Sequence, residues 1–223
     1  MSTKYDTKIG SIRQMMSTLL REISEANTVA LEAYVSKNQE MFKVAQDKLA
    51  NVTTQGDIID NEIIKTFALY GPEAKELRSL VAYLKMTNEI VRIGEGIKKY
   101  SRRMREHVNS ECNLIPLDGT IIQLHKSTIV ALDSILKCFM EEEECNISDF
   151  YTKIMVEESK NDDLFSILEK EIMGLIIDEK ELSIEYVNVL GTLRRLERSC
   201  DRSLNVANLM MYAQKGGSIS IYS

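Results

Sequence analysis

A chain of 223 residues is long enough for one large domain, or two small ones, with a sizeable core. Hydrophobic residues make up 44% and charged residues 28%, the balance of an ordinary soluble globular protein. The net charge of −6 argues against broad electrostatic adhesion to nucleic acid or anionic membrane, which needs basic surface. Lys98 to Arg105, KKYSRRMR, is a local exception, read first as the cationic end of a helix complementing its dipole.

Aromatics are 6%, and there are only two prolines and ten glycines, so long uninterrupted helices are allowed. Strand-like runs of Val, Thr and aromatic residues are not visible, which makes the expected fold all-α. The first segment, about 6–35, carries Ile9, Ile12, Met16, Leu19, Leu20, Ile23, Ala26 and Ala30 at helical steps. The second, about 39–69, carries Phe42, Ala45, Leu49, Val52, Ile59, Ile63 and Phe67. Gly71-Pro72 ends it, with Pro72 placed near the first turn of the next helix. The third segment, about 73–107, repeats the pattern through Leu77, Leu80, Leu84, Ile90, Ile93 and Ile97.

The best internal boundary is 109–119, where Pro116 and the Asp118-Gly119 turn signal interrupt the period. A fourth segment, about 120–143, then carries Ile121, Leu124, Leu132, Ile135 and Phe139, and its Glu141–Glu144 run reads as a solvated helix end. The fifth spans about 148–177 and the sixth about 182–214, with a loose tail expected over 216–223. Six helices split three and three predict two tandem three-helix bundles, 1–110 and 117–215, related by duplication. Sliding the sequence on itself by 106 residues supports this. Leu80, Val81, Tyr83, Leu84 and Ile90 then meet Tyr186, Val187, Val189, Leu190 and Leu196, and Glu95 meets Asp201.

Cys112, Cys138, Cys145 and Cys200 form no C-x-x-C pair and no metal-finger spacing, and nothing in them suggests a disulfide framework. The opening MSTKYDTKIG lacks the apolar core of a signal peptide, and no run approaches the ~18 apolar residues of a membrane span. A reduced, cytoplasmic protein is expected.

The stretch richest in chemistry is Thr192 to Ala207, TLRRLERSCDRSLNVA. On a helix wheel centred on Leu193, Tyr186, Val189, Leu196, Cys200, Leu204 and Ala207 lie within roughly 60°. Glu197 falls at about 40°, inside that stripe, and Asp201 at about 80°, on its shoulder; Arg195, Arg198 and Arg202 point elsewhere. Two like charges one turn apart beside an apolar face are unfavourable unless something neutralises them. A hard cation held by oxygen ligands is one candidate, and the neighbouring arginines are another.

With these residues in view, the chain resembles the PhoU family, regulators of bacterial and archaeal phosphate uptake, whose members carry an E/D-x-x-x-D signature in each of two three-helix repeats. Pro72 to Ser101 resembles the first copy through Pro72, Glu76-Leu77-Arg78 and Arg92-Ile93-Gly94, and Leu196 to Ala207 resembles the second, with Asn205 one turn past Asp201. The family's further acids come from the middle helix of each repeat, where the second half offers Glu158 and Asp162. The resemblance thus implies a metal site of Glu158, Asp162, Glu197 and Asp201 for Mg²⁺, Mn²⁺ or iron, a set without the His and Cys that zinc recruits.

The first half departs from the signature: Val91 replaces the leading acid, Glu95 the closing aspartate, and Lys99 the asparagine. Its middle helix offers Gly56 and Asp60 at the acidic positions, with Asp57, Glu62 and Glu89 nearby. A first site built on Asp60 and Glu95 is therefore expected to be weak or absent, with Glu95 a surface carboxylate paired to Lys98 or Lys99.

What the resemblance implies is a non-enzymatic, homodimeric adaptor between the ATPase subunit of a phosphate ABC transporter and a sensor histidine kinase, reaching the membrane only through partners. Two alternatives stand beside it. One is a helical interaction protein without metal, its acids quenched by Arg194, Arg195, Arg198 and Arg202. The other is a carboxylate-bridged metalloprotein of the ferritin-like kind, which wants Glu-x-x-His steps; His107 and His125 are preceded at that spacing by Met104 and Ile122.

Overall fold

The computed structural model describes residues 2–140 and 145–216, so the Glu141–Glu144 run and the tail from Gly217 onward lie outside it. Its helices are α1 (Ser2–Val35), α2 (Gln39–Lys48), α3 (Val52–Tyr70), α4 (Lys75–His107), α5 (Asp118–Met140), α6 (Ile147–Asp178) and α7 (Ser183–Lys215). Single 3₁₀ turns at Ile115–Leu117 and Lys180–Leu182 precede α5 and α7. No strand occurs among the described residues, and no helix there is long and apolar enough to cross a membrane.

The expected all-α architecture holds, with one difference. The second segment is broken at 49–51 into α2 and α3. Asn51, Val52, Thr53 and Thr54 all have modest helix propensity, the β-branched ones through χ1 crowding and Asn through competing local hydrogen bonds. Three-residue backbone bonds close the break, from Leu49 to Gln46, Ala50 to Asp47 and Val52 to Leu49. Lys98 on α4 donates to the freed Ala50 carbonyl at 3.3 Å. The other ends follow local chemistry. Asn38 and Asn146 cap α2 and α6 by accepting from the next two free amides. Gly71, with φ of 53°, takes the left-handed position that terminates α3. Pro72 lies in the connection ahead of Lys75, not in the first turn of α4.

A second difference concerns the cysteines. Cys138 near the end of α5 and Cys145 ahead of α6 form a disulfide with Cα atoms 5.2 Å apart, while Cys112 and Cys200 are free and buried. The expectation of a fully reduced chain, which rested on motif spacing, fails at this pair.

α1 with α2 and α3, then α4, form one set of three rods; α5, α6 and α7 form the other. The most extensive helix pair is α4 with α7, so the two sets join along their third helices. The core is divided along the bundle axis and each part draws on both halves. One cluster unites Ile12, Leu20, Ile59, Ile90, Ile135 and Ile154, and the other Tyr34, Phe42, Met104, Leu124, Phe165 and Leu196. The methionines serve this core: Met16, Met86, Met104 and Met210 are buried, and Met15 and Met211 pack against it.

Between the two clusters runs a buried polar belt. His125 and Asn27 share a hydrogen bond of 2.6 Å, and Asn161 donates to the Leu124 carbonyl and to Thr128 at 3.1 and 3.2 Å. These bonds satisfy part of the belt, while Asn27 Nδ2, His125 Nδ1 and Asn161 Oδ1 are buried without a partner among the described residues. Burial pushes the His125 imidazole down to about 3, which keeps it neutral.

Candidate metal centre

The acids singled out in the second half stand at the height of this belt. On α6 the core positions run Ile147, Phe150, Ile154, Asn161, Phe165, Leu168 and Ile172. Helical spacing would put one more apolar residue between Ile154 and Asn161, and the chain has Glu157 and Glu158 there. On α7, Glu197 lies one turn after buried Leu193 and beside buried Leu196, and Asp201 follows it by one turn beside buried Cys200. The helical period therefore forces carboxylates from two packed helices onto one seam.

Glu158, Asp162 and Asp201 meet there, each offering a carboxylate oxygen, with all three within 4.8 Å of one another. Glu197, the fourth expected ligand, adjoins this trio without being part of it, and its Oε2 is buried with no hydrogen-bond partner. Electrostatics tell the same story. Burial, then Asp201, pushes the Glu197 carboxyl up to about 7, against a weaker opposing pull from Arg194. Burial raises Glu158 as well, helped by Asp162 and Asp201. Asp162 is raised by burial and Asp163, and Asp201 by burial and Asp162 against Arg202 and Arg198. Four carboxyls that each resist ionisation, first through burial and then through neighbouring acids, form a site that a cation would stabilise.

The neighbouring arginines lower these carboxyls in part, but among the described residues none forms an ion pair with them. Arg194 pairs with Glu169 at 2.7 Å and Arg202 with Glu89 at 2.9 Å. Arg195 and Arg198 have no salt-bridge partner among the described residues. The donor set is all oxygen. His125 is in the belt and His107 shares a hydrogen bond with Thr192 at 2.9 Å, so neither histidine joins the acids. The Cys200 thiol, held well up by burial and the surrounding acids, is not grouped with the three carboxylates. A hard divalent or trivalent ion fits these donors, which lack the His and Cys that zinc usually recruits.

The first half has no equivalent among the described residues. A Cβ on Gly56 would meet Val91 Cγ2 at 2.4 Å, so the two positions that would carry acids are packed together as glycine and valine. Glu95 is engaged by Lys98 at 3.4 Å and by Thr53 at 3.3 Å. Asp60 is half-buried with Oδ1 unpartnered and its carboxyl raised by burial and Asp57. Of the other nearby acids, Glu62 is tied to Lys8 and Lys65 and Glu89 to Arg202. Asp60 and Glu95 thus remain separate residues, each explained by its own neighbours.

Comparison with known proteins agrees with this layout. A PhoU domain matches residues 16–104. A phosphate-specific transport system accessory protein PhoU homolog of Streptococcus pneumoniae is 24% identical over 99% of this chain and its own full length. The Escherichia coli accessory protein PhoU is 23% identical over 96% of this chain and 87% of its own. The chain is similar to PhoU proteins along almost its whole length. Its fold is that of the PhoU crystal structures. The one from Pseudomonas aeruginosa superposes with a TM-score of 0.85, covering 96% of this chain and 100% of that one, at 17% identity. The one from S. pneumoniae gives 0.75 over 97% and 99%, at 22% identity. Within this fold the grouped carboxylates of the described residues lie in the second half.

Proposed function

We propose that this chain is a non-enzymatic regulator of phosphate uptake that binds a metal ion through Glu158, Asp162 and Asp201, with Glu197 as a further ligand or a proton-holding neighbour. The observation that supports regulation is similarity along almost the whole chain to proteins named phosphate-specific transport system accessory proteins. The carboxylate trio supports metal binding. When bound, the ion supplies positive charge that neutralises the acids; the residues hold α6 and α7 in one register around it. No nucleophile with an activating base accompanies them among the described residues, since both histidines are committed to the contacts already described.

In this reading the protein is a cytoplasmic homodimer that docks on the ATPase subunit of a phosphate ABC transporter and on a sensor histidine kinase, damping the starvation response. Co-purification with the ATPase subunit from the same organism tests it. A stable complex, together with starvation-gene expression at high phosphate when the chain is deleted, is the expected result. An unchanged transcriptional response on deletion would remove the regulatory assignment.

A further inference from the structure

On the face of the α4–α7 seam away from the polar belt lies a cleft of about 260 Å³ with a different character from the acid cluster. Arg92 and Lys99 line it from α4, and Arg195, Arg198 and Arg202 from α7. The spacing explains the alignment: 92 and 99 are two turns apart, as are 195 and 202, with 198 between, so each helix presents one basic stripe. Gly96 and Ser199 form the floor, where a Cβ on Gly96 would come within 3.1 Å of Ser199 Oγ. The close approach of the helices there brings the two stripes together.

This concentration of cations is not balanced by the protein. The one acid in the lining, Glu95, is already held by Lys98 and Thr53, and Arg202 is taken by Glu89. Arg92, Lys99, Arg195 and Arg198 have no salt-bridge partner among the described residues, though Arg198 also feels Glu197 and Asp201 on its other flank. Arg195 is the most exposed to this cost. Its Nε is buried without a hydrogen-bond partner. A chain with net charge −6 has gathered unpaired positive charge in a cleft, against its own overall field.

We propose that the α4–α7 cleft binds a small, multiply charged oxyanion of the phosphate, pyrophosphate or sulfate kind, held by Arg92, Lys99, Arg195 and Arg198. Guanidinium forks match the spacing of oxygens on a tetrahedral anion, and lysine adds a mobile point charge. The volume is below the roughly 300–1,000 Å³ of pockets that enclose drug-sized ligands, which favours a free small anion over a nucleotide. The site is separate from the carboxylate trio and does not depend on metal being bound there.

Isothermal titration calorimetry of the full chain with sodium pyrophosphate, phosphate and sulfate tests this, at about 150 mM salt where exposed charges are screened beyond about 8 Å. Saturable binding of one anion per chain is expected, tightest for pyrophosphate. Loss of a charge-assisted contact should weaken it about tenfold in Lys99→Gln and at least as much in Arg195→Gln. Lys99 is exposed, so Lys99→Gln tests the cleft even where Arg195→Gln folds poorly. Arg195→Lys, which keeps charge but loses the fork, should fall between. Absence of saturable binding for all three anions, or an unchanged affinity in a well-folded Lys99→Gln, would overturn the proposal. Metal uptake by the same variants, expected to be that of the unsubstituted chain, separates this result from the fate of the metal site.

Discussion

Replacing Glu197 by glutamine keeps the shape of the side chain and removes the carboxyl that burial and Asp201 hold at about 7. In the unfolded chain this group ionises near 4.5. Because the folded form binds the proton more tightly, the carboxyl favours folding below the unfolded value, and that advantage is lost as pH rises through the folded one. Without metal, the protein should therefore become less stable between about pH 4.5 and 7. The full difference in proton affinity corresponds to about 3.4 kcal/mol at 1.36 kcal/mol per pH unit; partial exposure of the site and solvent screening reduce this to about 1–2 kcal/mol. Urea unfolding of chelator-treated protein across that pH range measures it directly. Glu197→Gln should be more stable than the unsubstituted chain at pH 7 and equal to it near pH 4, with a flatter profile. Saturating Mn²⁺ should lift the unsubstituted chain at pH 7, since metal binds the ionised carboxylates and displaces protons. A profile for Glu197→Gln that parallels the unsubstituted chain across the range would refute the reasoning.

Other predictions rest on packing and covalent links. Leu196 is fully buried between α7 and its neighbours, so Leu196→Ala should cost about 2–5 kcal/mol in urea unfolding, through the lost transfer energy and the cavity. Arg202→Met strips the partner from Glu89, which is only 8% exposed, and should cost about 1–3 kcal/mol, recovered in part by adding Glu89→Gln. Under non-reducing denaturation, thiol titration should find two reactive thiols of the four, and Cys138→Ser should lower stability by about 2.5 kcal/mol from the entropy of its short loop.

The helical periods made most of this fold legible. Apolar residues at three- and four-residue steps located the rods apart from the α2–α3 break, and the 109–119 interruption falls between α4 and α5. The break between α2 and α3 escaped because Leu49 and Val52 keep the apolar period running across it while the backbone does not follow. Of the acids, Glu197 stood out because it occupies a place in an apolar stripe where a charge is conspicuous, whereas Glu158 and Asp162 entered only through the family resemblance. That Glu197 stands beside the trio instead of within it depends on the relative rotation of α6 and α7, which no single-helix pattern encodes. The closed first site was half legible. Val91 was visibly wrong for a ligand, but its fit over Gly56 appears only when α3 and α4 are packed. The basic cleft was hidden most completely. Its α4 stripe overlaps a run that reads as a cationic helix end, and its α7 stripe reads as a solvated face. Only the juxtaposition of α4 and α7 reveals their sum.

The account turns on whether the carboxylate trio holds a metal. The most direct measurement is elemental analysis of protein purified without chelator and then equilibrated with Mn²⁺, set beside the Glu158→Gln, Asp201→Asn double variant. Metal retained by the unsubstituted chain after gel filtration, and lost by a variant that melts cooperatively, is the predicted result. Equal metal in both, or none in either after equilibration with Mg²⁺, Mn²⁺ and iron in turn, would contradict it.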